Sequence, residues 1–396
     1  MAITWIGFLL SLFLLFIISR KSLWAGLVVA AFTLGVFTLP FQHIWQETYA
    51  TLTDPSILLL SFGVGLIPMI GGTMELSGLM NDLINNLRIG KRLFSAFSPA
   101  LLGMLPIPGG ALLSAPLLKK VAKGTSGVKQ SGINVWFRHL LLLIYPLGAL
   151  LASTKMAQLN LYVVMIYLIP GFVLMFILGY LFLLKDIQGK VNYSSDFRLK
   201  GLLIPLIVIF IAPLIHSSLI TIFPKVLPEI FLVIGVAASL ILALCFGNSR
   251  WKTIRLVWKK TGPWRFSLII IGMFLFLNIF KASDASRIIA EVTFSKTFLL
   301  VGIGSILGFL TGRVQVPVSI LLPIYYSKYG TNTMTCPVFA LMYFSIFMGY
   351  VISPVHPCVS VSLEFFGAQL KDFFKLLIIP VLISLVIALM LGQIFL

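Results

Sequence analysis

Long apolar runs separated by short basic clusters repeat along almost the whole chain. A helix needs about 20 apolar residues to cross roughly 30 Å of hydrocarbon, so runs near that length read as membrane spans. Ten qualify: residues 3–19, 23–39, 56–80, 136–155, 160–184, 202–222, 229–247, 266–280, 335–353 and 373–395. Two further apolar stretches, 93–118 and 297–326, are interrupted by proline and glycine and do not suit a plain span.

The basic residues decide how these runs are threaded. With Arg20 and Lys21 on the cytoplasmic side, the positive-inside rule gathers most Lys and Arg, Arg138 among them, into cytoplasmic loops. Both termini then lie outside. Arg88, Lys91 and Arg92 precede the stretch 93–118 and Lys119, Lys120 and Lys123 follow it, so both of its ends prefer the cytoplasm. It is expected to enter from inside and return, and 297–326 to do the same from outside, each as a helical hairpin enclosed by protein. The run 3–19 has no basic region before it and no small-residue cleavage site after it, so it reads as the first membrane helix. Trp251, Ile254 and Trp258 fall on one helical face and Lys252, Arg255 and Lys259 on another, which predicts a helix lying in the cytoplasmic interface as an anchor or a lipid-regulated element.

Composition removes the competing classes. With 59% of residues in the AVILMFWYC set, 10% charged and a mean hydropathy of +1.08, the chain is no water-soluble domain. A net charge of +18 would by itself suggest a polyanionic partner, but cations placed between spans account for most of it and no nucleic acid is expected. Cys245, Cys336 and Cys358 form no CxxC and share no ligand spacing with histidine, so neither a disulfide framework nor a zinc or iron–sulfur site is expected.

The two interrupted stretches overlay. LGMLPIPGGALLSAPLL from Leu102 lies on LGFLTGRVQVPVSILLP from Leu307, setting Gly103 on Gly308 and Ser114 on Ser319. The helix after each is broken alike, with LGALLASTK (147–155) facing MGYVISPVH (348–356). The chain therefore reads as an all-α polytopic membrane protein of about ten transmembrane helices plus two re-entrant helical hairpins, arranged as two inverted-topology repeats. Residues 1–190 form the first, with hairpin 93–118 and broken helix 136–168. Residues 201–396 form the second, with hairpin 297–326 and broken helix 335–370. The part 191–265 holds a linker, two scaffold spans and the interfacial basic helix. Inverted repeats with discontinuous helices are how secondary transporters hold a substrate near the membrane midplane, where helix termini present unpaired N–H and C=O groups.

Ten spans, two opposed hairpins with Pro/Gly-rich tips and broken helices behind them resemble the ion transporter superfamily of dicarboxylate, citrate and gluconate-type permeases and sodium/proton antiporters. Within it, PIPGGALLSAP and SPVHPC followed by Glu364-Phe-Phe are similar to an uncharacterised prokaryotic branch. The resemblance implies transport across the inner membrane and a homodimer. Dicarboxylate members hold sodium and substrate carboxylates with Ser-Asn-Thr signatures at the hairpin tips. Neither tip here carries that triplet, which leaves proton and sodium coupling both open, with main-chain carbonyls as the available sodium ligands.

Ionisable residues at membrane depth cost on the order of 3 kcal/mol to insert and are functional candidates by default. Arg313, in Thr311-Gly312-Arg313-Val-Gln315-Val-Pro317, either binds a carboxylate or phosphate by two parallel hydrogen bonds or ties hairpin carbonyls together. His356, between Pro354 and Pro357 and close to Ser353, is either a proton carrier and substrate donor or a histidine satisfied by a carbonyl. Lys155, near Ser153, holds the matching place in the first half and either meets the anion or marks a span end. At the first tip, Pro108, Gly109 and Gly110 let a backbone approach a ligand, and Ser114, with Ser319 opposite, adds a hydroxyl. Glu75 is the best carboxylate for proton coupling, or else the partner of a nearby cation. His139 and His216 read as structural.

The expected function is secondary transport of a small organic anion by alternating access, coupled to protons or sodium. A cation/proton antiporter is the alternative and needs carboxylates at the site. An intramembrane lipid-modifying enzyme or protease fits less well, since the chain has no HExxH, no GxSxG and no clustered Asp pair. No enzymatic activity and no cofactor are expected.

Overall fold

A computed structural model describes residues 2–105, 110–191, 193, 196–247, 251–285, 288, 291–293 and 295–395, and no β-strand occurs among them. The chain opens with α1 (Ala2–Ser19), α2 (Leu23–Thr38), α3 (Phe41–Thr53), α4 (Pro55–Leu76) and α5 (Leu79–Asn85). A helical pair follows, α6 (Lys91–Gly103) and α7 (Ala111–Val121), then α8 (Gly127–Leu140), α9 (Ala149–Met156) and α10 (Leu161–Gly179), which runs on as a π-helix to Leu184. Next come α11 (Leu199–Ile222), α12 (Pro228–Phe246), α13 (Trp251–Thr261) and α14 (Pro263–Ala282). After a π-helical segment (Phe298–Ile303) a second pair, α15 (Gly304–Thr311) and α16 (Gln315–Tyr329), leads into α17 (Cys336–Val351), α18 (Pro357–Phe366) and α19 (Leu370–Phe395).

Among the described residues, seven helices are long and apolar enough to cross a membrane: α1, α4, α10 with its extension, α11, α12, α14 and α19. They match seven of the ten expected spans. The other three differ for identifiable reasons. Residues 23–39 and 335–353 give helices of 16 residues, about 24 Å at 1.5 Å per residue and short of the hydrocarbon thickness. Residues 136–155 do not form one helix: α8 stops at Leu140, and the chain passes through Gly148 at φ 85°, a conformation that suits glycine, before α9 begins. The outward faces carry rows of exposed apolar side chains, such as Ile3, Ile6, Leu9 and Phe13 on α1 and Leu382, Val386 and Met390 on α19. Apolar area of that extent belongs in lipid. The chain is a multi-pass membrane protein.

The helix pairs dock on the broken helices through glycine. Gly103 of α6 lies against the Arg138 carbonyl of α8, and Gly308 of α15 against the Ile346 carbonyl of α17; a Cβ at either position would overlap backbone. The second arms cross over, α7 packing on α18 and α16 on α9. Along the inner face of α17 the fully buried rings of Phe339, Tyr343 and Phe347 stack in series. This packing gathers the ends of both pairs and both helix breaks into one region. On α13, Val257 and Thr261 are buried against Gly72 of α4 while Leu256 and Trp258 stay exposed, consistent with an interfacial position.

Candidate functional site

Two arginines, two histidines, a tyrosine and a cysteine meet where the breaks converge. Arg138 lies in the last turn of α8, is only 5% exposed, and its Nη1 donates to the Gly110 carbonyl at 2.9 Å, just before α7. Its neighbour His139 donates from Nδ1 to the Val135 carbonyl at 2.6 Å. A carbonyl can only accept, so Nδ1 carries the proton and Nε2 keeps its lone pair. That Nε2 lies 3.2 Å from the Tyr350 hydroxyl and 3.1 Å from His356 Nε2. The three rings pack with centroids 4.3–5.1 Å apart.

The second half supplies the rest. Pro354 and Pro357 stop α17 from continuing, and His356 caps the start of α18 with extended backbone. One residue into α18, Cys358 brings its Sγ close to the two imidazoles: the ligand atoms of His139, His356 and Cys358 all lie within 4.8 Å of one another. Gly312, at φ 59°, ends α15 and sets its main chain beside His356. Arg313 follows, half-buried, and both guanidinium groups lie within electrostatic reach of His356 and Tyr350.

Among the described residues neither Arg138 nor Arg313 pairs with a carboxylate, and the Arg313 guanidinium donates no hydrogen bond. A poorly hydrated guanidinium without a partner is costly, and an anion would relieve that cost. His356 Nδ1 is buried and makes no hydrogen bond of good geometry, although the Gly312 main chain lies within reach of the ring.

The other expected residues are placed as follows. Pro108 and Gly109 lie outside the described residues, whereas Gly110 sits at the cluster as the Arg138 acceptor. Ser114 donates to Asn134 Oδ1 at 2.6 Å, and Asn134 Nδ2 donates to Ser362 Oγ at 2.9 Å, tying α7, α8 and α18 together. Thr311 donates back to Leu307, and Ser353 to the Phe309 carbonyl at 2.5 Å, fastening the end of α17 to α15. Gln315 opens α16, and Ser319 donates to its carbonyl at 2.9 Å beside Met156. Ser153 is fully buried with its hydroxyl unpartnered.

Two expected site residues are engaged elsewhere. Lys155 forms a 2.5 Å ion pair with buried Glu229, on the wall of a cavity of about 340 Å³ that Tyr162 and His216 also line. Glu75 is held at 2.8 Å by Lys260 of α13. Conversely, Arg138, assigned to the cytoplasmic loops from sequence, is buried in the cluster, and His139, read as structural, is its most connected member. Tyr350 is not singled out by the sequence, and Cys358 enters there only as a cysteine without metal-ligand spacing. Their signal was faint: Arg138-His139 directly precedes the run that breaks at Gly148, and Cys358 stands two residues after His356.

No curated protein matches the sequence. A family model does, and over residues 6–395, nearly the full length: the chain belongs to the family described as "Protein of unknown function (DUF401)".

Proposed function

We propose that this protein is a secondary transporter that moves a small carboxylate-like organic anion across the cytoplasmic membrane by alternating access. The observation that carries this reading is the pair of arginines at the convergence of the helix breaks, neither of which meets a carboxylate among the described residues. Arg313 offers a planar fork of donors with no protein acceptor, the geometry by which guanidinium takes a carboxylate with two parallel hydrogen bonds. The neighbouring His139–His356 contact supplies groups able to carry a proton, and the carbonyls freed at the breaks are the alternative ligands for sodium. Lys260 occupies Glu75, which takes the best carboxylate away from a cation/proton antiporter.

The architecture proposed with this function has α6–α7 and α15–α16 as re-entrant hairpins of an inverted repeat, as in the ion transporter superfamily. The matching glycine contacts at Gly103 and Gly308, and the crossed packing of α7 on α18 and α16 on α9, support it. Reconstituted into liposomes, the protein is expected to accumulate at least one small carboxylate under either a proton or a sodium gradient. Uptake indifferent to both gradients, for every organic anion in a broad panel, would overturn the proposal.

A further inference from the structure

The anion reading rests on the two guanidinium groups and offers the two imidazoles beside them only as proton carriers, giving Cys358 no role. His139, His356 and Cys358 come from both halves of the chain, yet their ligand atoms lie within 4.8 Å of one another. The His139 Nδ1–H bond to the Val135 carbonyl is the outer contact that commonly orients a metal-binding imidazole, and it leaves the Nε2 lone pair facing His356. The two Nε2 atoms are 3.1 Å apart. Two imidazole nitrogens at about 2.0–2.1 Å from one ion stand roughly 3.3 Å apart at a tetrahedral angle and about 3.5 Å apart at a trigonal one, so the rings need to part by only a few tenths of an ångström to seat an ion.

The Tyr350 hydroxyl can donate to His139 Nε2, but the protein leaves a nitrogen of His356 unsatisfied in either tautomer. If His356 donates its Nε2 proton to His139, its own Nδ1 becomes a buried acceptor, and no donor reaches it. If the proton sits on Nδ1, the two Nε2 lone pairs face each other across 3.1 Å, and the Tyr350 hydroxyl, 3.2 Å from His139 Nε2, answers only that one. A cation between the rings resolves the second arrangement, and Cys358 supplies the third ligand as thiolate.

Charge selects the cation. Arg138 and Arg313 already set two positive charges beside the cluster. A divalent ion with one thiolate would add a further net positive charge at a buried place, whereas a monovalent ion with the same thiolate adds none. Imidazole and thiolate donors in a three-coordinate set suit a soft d10 ion. We propose that His139, His356 and Cys358 form a binding site for a soft monovalent cation of the copper(I) class, joining the break of α8 to the start of α18.

Anaerobic titration of the purified full chain with copper(I), buffered by a chromophoric chelator, reads this directly. One equivalent is expected to bind, with an X-ray absorption edge and fine structure giving two nitrogens and one sulfur. The C245S/C336S protein should bind as the wild type does. His139→Ala and Cys358→Ser should each weaken binding on the order of 100-fold, the upper end of what even an outer-shell change costs. Thermal unfolding without copper checks that the variants are folded, and Cys358→Met, which keeps a soft sulfur, should recover part of the affinity. The site is refuted if wild type and folded Cys358→Ser bind copper(I) equally, if absorption on the wild type shows no sulfur ligand, or if zinc(II) binds more tightly than copper(I).

Discussion

At two places among the described residues, cationic side chains drawn into the protein are held on opposite principles. At the cavity between α9 and α12, Lys155 meets Glu229 at 2.5 Å, and His216 Nδ1 lies 2.7 Å from the Tyr162 hydroxyl. At the helix breaks, Arg138 and Arg313 share a region with two histidines and a tyrosine but no carboxylate among the described residues. A buried charge with an internal partner is complete and marks structure. One without a partner implies that the balancing charge arrives from outside, and this separates Lys155 from Arg313.

The sharpest way to break the comparison is to remove the unpaired cation. Arg313→Ala should cut the kcat/KM for anion uptake on the order of 100-fold, about 2.7 kcal/mol, while thermal stability changes little because the guanidinium holds nothing in the folded protein. Glycine comes next. Gly103→Ala or Gly308→Ala forces a methyl group into a backbone carbonyl and should cost about 1–3 kcal/mol of stability, with uptake lost as the pairs lift off α8 and α17. Thermal melts of the two variants should agree, since each glycine makes the same contact in its half.

Smaller effects are expected at the paired site. Glu229→Gln leaves Lys155 without its counter-charge; because the Lys155 side chain is 34% exposed, solvent screening limits the loss to about 1–2 kcal/mol. The KM for the anion should stay unchanged, and a tenfold rise would bring Lys155 into the substrate path. Smallest of all is the pair Lys129–Asp186, whose carboxylate is exposed. The hydrogen bond from Lys129, and then its charge, hold the Asp186 carboxyl below its ordinary range. A depressed carboxylate stabilises the fold above its unfolded value and loses that contribution as pH falls through the folded one. Lys129→Ala should therefore alter the melting temperature slightly at neutral pH and not at all in strong acid.

Much of the fold could be read from the sequence because lipid imposes simple rules. Apolar length located seven spans, and Pro/Gly interruptions located both helix pairs and both breaks. The failures share a cause. Treating every Lys or Arg as a marker of the cytoplasmic face placed Arg138 in a loop, because the positive-inside rule counts charges and is blind to which of them a neighbouring helix will enclose. Arg138 sits where Gly103 lets α6 approach α8, and that contact, not its position in the sequence, buries it. His139, 217 residues before His356, could not be joined to it from spacing alone. Lys155 was drawn into the site by laying 147–155 on 348–356, an alignment that carries no information about its partner Glu229 on α12.

The most direct test is a thermal-shift titration of the purified protein with a panel of small carboxylates and oxyanions, run in parallel on Arg313→Ala and Lys155→Ala. At least one anion should raise the melting temperature of the wild type and of Lys155→Ala by several degrees while leaving Arg313→Ala unmoved. An equal shift in Arg313→Ala would contradict the claim that the unpaired arginine at the helix breaks receives the transported anion.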